Sequence, residues 1–129
     1  MLRVLDSTVL IDYLRGRPAV NRVRALRDAG DMAATTAINV EEIVRGLSLS
    51  ETKSVVELFT GLIVLPIAKA AGWQAGEWRR EFAAKGVTLW QADCLIAATA
   101  LSHGATLVTG NPKDFPMPGL AVDHWPVGQ

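Results

Sequence analysis

The chain has 129 residues, half of them hydrophobic, and its 13 Lys and Arg balance 13 Asp and Glu. That length fits one domain, residues 1–129, with enough apolar material for a sizeable core. Charge neutrality argues against binding nucleic acid by bulk attraction, and no apolar run reaches the roughly 18 residues of a membrane-spanning helix. The single cysteine, Cys94, excludes an intramolecular disulfide and fits a reducing cytoplasm. Arg3 and Asp6 interrupt the apolar stretch at the N-terminus, so no secretory signal is expected.

In chain order, Leu2–Leu5 reads as a short apolar strand that ends abruptly in Asp6. Ser7 and Thr8 can cap a helix whose first turns are Val9–Leu14. Pro18 fits the first turn of a second helix, running to about Ala29 and ended by Gly30. Arg15, Arg17, Arg22, Arg24 and Arg27 fall close together, with no acid between Asp12 and Asp28. Such a run is ordinarily the solvated face of a helix. It gains meaning as a phosphate-contacting edge only beside a nuclease site.

Asp31–Thr35 is a weak strand, and Thr35 or Thr36 then caps a helix over AINVEEIVRGLSL, residues 37–49. Ser50 or Thr52 starts another helix, ending near Gly61. Leu62–Leu65 reads as a buried strand closed by Pro66. A long helix runs from about Ala68 to Lys85, and its stripe Ala71, Ala75, Trp78, Phe82 has helical spacing, which marks core. Gly86 stops it. A further helix spans Trp90–Ser102, ended by His103 and Gly104. Ala105–Thr109 is a strand, 110–119 a Pro- and Gly-rich loop, and Leu120–Val122 a last short strand. Strands alternating with helices predict an α/β fold, a parallel sheet of four to five strands flanked by helices on both faces. Function in such sheets sits at the carboxyl ends of the strands, where Asp6, Thr109, Gly110 and Asn111 fall.

Three acids stand out, although Glu42 taken alone reads as an exposed helix residue and Asp93 also suits a helix N-terminus through the macrodipole. Asp6 ends a buried strand, where an ionised carboxylate is costly unless paired, hydrogen-bonded or on a metal. Glu42 interrupts an apolar stripe, Ile38, Glu42, Gly46, Leu49, with Gly46 leaving room beside it. A second stripe, Val40, Ile43, Val44, Leu47, lies on the other side. Glu41, in contrast, can pair with Arg45 at i,i+4. Asp93 lies in the first turn of a helix apolar almost all round, WQADCLIAATALSHG. Its neighbour Cys94 is most simply a small core residue. Asn111 or Asp114, in GNPKDF, can supply a fourth polar ligand or simply form a turn. His103 and His124 show no ligand spacing. Carboxylates gathered from three segments repel one another unless a cation sits among them, and hard oxygen ligands suit Mg²⁺ or Mn²⁺.

With those residues in view, DSTVLID, EEIVRG, GVTLWQADCLIAATAL and TLVTGNPKDF resemble, in order and over nearly the whole chain, the signature of the PIN-domain family. More narrowly they resemble the VapC-type toxins of type II toxin–antitoxin systems. The resemblance implies a Rossmann-like PIN domain and a Mg²⁺- or Mn²⁺-dependent endoribonuclease in which Asp6, Glu42 and Asp93 hold the metal. Asn111 stands where a fourth family acid usually falls and is the weaker ligand, with Asp114 a possible substitute. Ser7 and Thr109 match polar positions that support the acids. Metal-activated water would cut RNA to 5′-phosphate and 3′-hydroxyl ends, with Arg15 and Arg17 on flanking phosphates. The resemblance also implies a VapB-like antitoxin whose C-terminal segment lies in a groove reaching the acids. It implies a homodimer as well, assembling into a heterotetramer or larger with the antitoxin.

Competing readings fare less well. A receiver-type phosphate-signalling module needs an acceptor Asp on the central strand and a later strand-end Lys, but LIVLP ends in Pro66 and ATLVTGN has no Lys. A haloacid-dehalogenase-like phosphatase wants a second Asp at position 8, which is Thr8. A catalytically weakened PIN-like binding domain is opposed by the three acids and favoured by Asn111.

Overall fold

The computed structural model describes residues 1–128. Five strands, β1 (Leu2–Leu5), β2 (Met32–Thr36), β3 (Ile63–Leu65), β4 (Thr106–Thr109) and β5 (Val122–His124), form one sheet in the order β3-β2-β1-β4-β5. All four pairings are parallel. Six helices accompany them: α1 (Ser7–Leu14), α2 (Ala19–Asp28), α3 (Ala37–Gly46), α4 (Thr52–Thr60), α5 (Lys69–Ala84) and α6 (Gln91–Ser102).

The pleat sorts the core. Successive strand residues face opposite sides of a sheet, so Val4, Ala34 and Leu107 pack with Ala71, Ala75, Trp78, Ile96, Ala97 and Ala100 of α5 and α6. Leu5, Ala33 and Val108 pack the other way, onto Val9, Leu10, Val23, Leu26, Val55 and Leu58 of α1, α2 and α4. Helices thus cover both faces, as expected for a parallel sheet. The stripe Ala71, Ala75, Trp78 is buried and Phe82 packs against it. No helix among the described residues is long and apolar enough to cross a membrane.

The order of strands matters for the site. The chain lays down β2 and β3 on one side of β1, then crosses to place β4 and β5 on the other. The seam between β1 and β4 is therefore a topological switch point, where the crevice of an open α/β sheet forms.

Several boundaries depart from the sequence reading. Helix α3 stops at Gly46 instead of continuing to Leu49. Ser48 and Glu51 form a capping box, with Ser48 Oγ donating to Glu51 Oε1 at 2.7 Å, and this starts a separate 3₁₀ turn, Leu49–Glu51. Leu49 is consequently 94% exposed, and of the stripe Val40, Ile43, Val44, Leu47 only Ile43 is fully buried. The LIVL run is not a buried strand. β3 lies at the sheet edge, so Leu62 and Leu65 point inward while Ile63 and Val64 are 44% and 40% exposed. β2 is shifted one residue later than expected, and β5 starts at Val122 rather than Leu120. Trp90 is extended and precedes α6 rather than belonging to it. Ser7 and Thr8 are already helical and do not cap; Asp6 occupies the N-cap position of α1.

Candidate active site

Asp6 ends β1 at the switch point. Its backbone N–H donates to Val108 O at 2.8 Å, prolonging the β1–β4 ladder by one rung, and its carbonyl accepts from Val9 and Leu10 to start α1. The residue is 6% exposed. Its Oδ2 accepts from Thr109 Oγ1 at 2.8 Å and from Thr8 Oγ1 at 3.1 Å, and its Oδ1 from Asn39 Nδ2 at 3.4 Å. Burial pushes the Asp6 carboxyl above its ordinary range, and the nearby Asp114 adds to this. The hydrogen bonds from Thr109, the Ser7 backbone and Thr8 pull the other way without cancelling it.

The two threonine hydroxyls link Asp6 to the loop after β4. Thr8 Oγ1 accepts from the Gly110 N–H at 2.9 Å, and Thr109 Oγ1 from the Asn111 N–H at 3.0 Å. Each hydroxyl thereby has its own proton directed at the carboxylate.

Glu42 reaches the same edge from α3. Ser7 Oγ donates to Glu42 Oε1 at 2.8 Å and accepts from Asn39 Nδ2 at 3.0 Å, so Ser7 stands between Glu42 and the Asp6 neighbourhood. Asn39 is fully buried. It sits one turn before Glu42 on the same helix face, and it closes a capping box with Thr36: its Oδ1 accepts from Thr36 Oγ1 at 2.8 Å and from the Thr36 N–H at 3.2 Å. Sequence reasoning passed over Asn39 and Thr8. The available signal was T-x-x-N at a helix start, with Asn where a capping box usually carries Glu or Gln, three residues before the suspect Glu42. Glu41 pairs with Arg45 on the exposed surface at 3.0 Å, as i,i+4 spacing predicts.

Asp93 enters from the first turn of α6 and is half-buried. Burial pushes its carboxyl up to about 6, and the negative fields of Asp114, Asp6 and Glu42 add to the rise. Those fields identify the neighbours. Asp114, on the 3₁₀ turn Pro112–Asp114, acts on both Asp93 and Asp6. Asn111 Nδ2 donates to Asp114 Oδ2 at 2.6 Å, which leaves the Asn111 side-chain carbonyl as the donor it can offer a cation. Asn111 and Asp114 thus act as a pair at one corner.

Four acids therefore share one edge, but they are not drawn into a single coordination sphere. Among the described residues no three His, Cys, Asp or Glu side chains stand close enough to ligate one ion together, and no buried side-chain N or O lacks a hydrogen-bond partner. The donor set is nonetheless all carboxylate, amide and hydroxyl oxygen, the chemistry of a hard divalent cation. Beyond the burial that chiefly raises Asp93, the repulsion from Asp114, Asp6 and Glu42 is what such a cation would relieve.

The arginine run divides. Arg22 is half-buried and its Nη1 donates to Pro126 O at 2.7 Å, whereas Arg27 donates through Nη2 to Gly61 O at 2.8 Å while staying exposed, as Arg24 does, so most of the run keeps a solvated face. Arg15 is exposed at the end of α1 and lines a pocket with Glu42, Gly46 and Glu51. Arg17 is half-exposed. Cys94 is buried and its thiol pushed up by that burial, in keeping with a core role.

An acidic site at the switch point of a five-stranded parallel sheet defines the class of protein, a doubly wound α/β fold with hard-oxygen chemistry at its carboxyl edge. The PIN domain profile matches residues 3–116. The tRNA(fMet)-specific endonuclease VapC of Shigella flexneri is 30% identical over 128 residues, 95% of this chain and 96% of that protein. Ribonuclease VapC19 of Mycobacterium tuberculosis is 28% identical over 117 residues, 90% and 94% of the two chains. The crystal structure of VapBC2 from Rickettsia felis, bound to a DNA fragment from their promoter, superimposes with a TM-score of 0.84 at 25% identity, covering 97% of this chain and 99% of that one. The chain belongs to the PIN-domain family, among the VapC ribonucleases.

Proposed function

We propose that this chain is a divalent-metal-dependent endoribonuclease and the toxin of a type II toxin–antitoxin pair. The observation that carries the reading is the convergence of Asp6, Glu42, Asp93 and Asp114 on one edge: the Asp93 carboxyl, raised to about 6 first by burial, also feels the negative fields of the other three. Asp6, Glu42 and Asp93 would hold Mg²⁺ or Mn²⁺ partly through bound water, since no three of the acids stand close enough to ligate one ion directly, with Asp114 and the Asn111 carbonyl at the fourth corner. Such an ion supplies a bound water of lowered pKa and neutralises charge at a phosphodiester.

The chain's own residues prepare that chemistry. Thr109, Thr8 and Asn39 donate to Asp6 and favour its ionised form. Ser7 fixes the orientation of Glu42. Arg15, exposed beside Glu42, suits a flanking phosphate of the RNA, and Arg17 is a more distant candidate. In-line attack by water gives 5′-phosphate and 3′-hydroxyl ends.

Relatives named ribonuclease and endonuclease support the substrate class. A relative crystallised as VapBC2 supports a VapB-like antitoxin partner; a toxin homodimer inside a larger complex is part of the proposal. Action on RNA with one free cysteine fits the cytoplasm. Purified protein incubated with RNA is expected to cut in Mg²⁺ or Mn²⁺, to stop in excess EDTA and to resume when the ion is restored. Sequencing the new 5′ ends gives the target. Cleavage that persists in EDTA overturns the metal reading.

One observation favours a second reading, a PIN-like domain that binds without cutting. Position 111 holds an amide engaged by Asp114 rather than a free carboxylate. Ion-dependent cleavage by the purified chain eliminates it.

A further inference from the structure

The family profile ends at residue 116, yet the segment after β5 returns to the acidic edge. It is held at three points. The Trp125 N–H donates to Thr109 O at 2.9 Å, Pro126 O accepts from Arg22 Nη1 at 2.7 Å, and the Gly128 N–H donates to Asp12 Oδ1 at 3.2 Å.

Asp12 is the unusual anchor. It is 2% exposed, and a carboxylate buried so far needs hydrogen bonds to be tolerated. Its second oxygen accepts from the Ala19 N–H, at the start of α2, at 3.1 Å. Two backbone amides, one from α2 and one from this segment, thus share one buried carboxylate. Gly128 reaches it with φ 84, a conformation that suits glycine.

Between these anchors Val127 is pressed against the site. A Cβ added at Gly110 would lie 2.8 Å from both Val127 methyl carbons and 3.3 Å from Thr8 Oγ1. Rotating Val127 about χ1 cannot clear both positions, because two methyls fill two of three staggered slots. Gly110 in turn donates to Thr8 Oγ1, which donates to Asp6 Oδ2.

We propose that Trp125 to Gly128 is a positioning element for Asp6: it fixes the Thr109–Gly110 turn, and through Thr8 it fixes the carboxylate. Val127 and Gly110 are positioning residues in this scheme, and they act on the geometry of the reaction rather than on RNA affinity. The kinetic consequence rests on the nuclease reading.

The test is a compensating pair. Gly110 has no positive φ, so its backbone admits alanine, and Val127 and Thr8 are the obstacles. Gly110→Ala should lower kcat about tenfold or more with KM within about twofold, as expected when a reacting group is displaced by a fraction of an ångström to an ångström. Gly110→Ala with Val127→Ala exchanges both obstructing methyls for the new Cβ in the same space, so the turn stays packed, and should restore kcat to within about threefold of the parent. Amide hydrogen exchange over residues 109–111 of the metal-free protein gives a second readout: protection falls in the single variant and returns in the double. An unchanged kcat with unchanged exchange in Gly110→Ala overturns the proposal. So does a double variant no better than the single, or a change confined to KM, which would make the segment an RNA contact. If the parent protein cuts no RNA, the nuclease reading fails, and the exchange measurement still decides the coupling.

Discussion

Thr109 and Asp6 lie 103 residues apart and are joined by a 2.8 Å hydrogen bond, hydroxyl to carboxylate, across the seam between β1 and β4. The pairing of those strands is what brings them together, and both side chains are buried. Thr109→Val keeps the shape and removes the donor. It also leaves the Asn111 N–H without the acceptor it uses at 3.0 Å. A loss of about 1–3 kcal/mol in urea unfolding is expected, with the Asp6 carboxyl pushed higher still and cleavage slowed. Thr109→Ser should recover most of both.

Asn39 carries three duties at once: it donates to Asp6 and Ser7, and it accepts from Thr36 at the start of α3. Asn39→Leu keeps the branched outline of the side chain, at a larger volume, and breaks all three. The expected cost is again about 1–3 kcal/mol in denaturant midpoint terms, because buried partners are left unpaired. Cleavage should fall further than stability alone explains, since Glu42 loses its oriented Ser7. A variant with parental unfolding and parental rate would show that Asn39 is filler.

Much of this was legible in the chain. The apolar strand ending in Asp6, the all-round apolar helix behind Asp93 and the turn at Asn111 are local patterns, and local patterns survive folding. What escaped were consequences of packing. LIVL reads as buried, but only the strand order makes β3 an edge. The S-x-x-E of Ser48 and Glu51 was present, yet the longer apolar stripe through Leu49 concealed it. Asn39 becomes a support of Asp6 only when α3 closes on β1, and Thr8, two residues from Asp6, is tied to the loop after β4 only when β4 pairs with β1. The partition of the arginines is likewise invisible in sequence, because Arg22 and Arg27 bond carbonyls of distant segments.

Asp93 gives the metal-free protein a pH signature. Its carboxyl stands at about 6 against an ordinary 3.8, so between those values the folded chain binds more protons than the unfolded one. Stability therefore falls as pH rises through this window, and Asp6, also raised, adds in the same direction. Melting in EDTA should occur at a higher temperature near about pH 5 than near about pH 7. Added Mg²⁺ should raise the melting temperature more at the higher pH, where the acids are ionised and their repulsion is relieved by the ion. A melting temperature flat across the window, with or without Mg²⁺, would contradict the crowding of the four acids.

The Asn111–Asp114 corner can be recharged. Asn111→Asp replaces an amide donor with a second carboxylate facing Asp114 across a 2.6 Å contact. The variant should melt lower than the parent in EDTA and gain more from Mg²⁺. Asp114→Asn should do the reverse, because it removes the strongest of the charges acting on Asp93. Calorimetric titration with Mg²⁺ ranks the three proteins, and identical affinities would exclude this corner from the ion's surroundings.

The most direct measurement is RNA cleavage by purified Asp93→Asn protein beside the parent, in Mg²⁺ and in excess EDTA, with melting recorded for both. Asn keeps the shape of the side chain and removes the charge that Asp6, Glu42 and Asp114 oppose. The expected result is a folded variant, at least as stable as the parent in EDTA, that cuts RNA at no more than about a hundredth of the parental rate and loses the Mg²⁺-induced rise in melting temperature. Parental cleavage by Asp93→Asn, or an undiminished response to Mg²⁺, would contradict a metal-dependent nuclease site at this edge of the sheet.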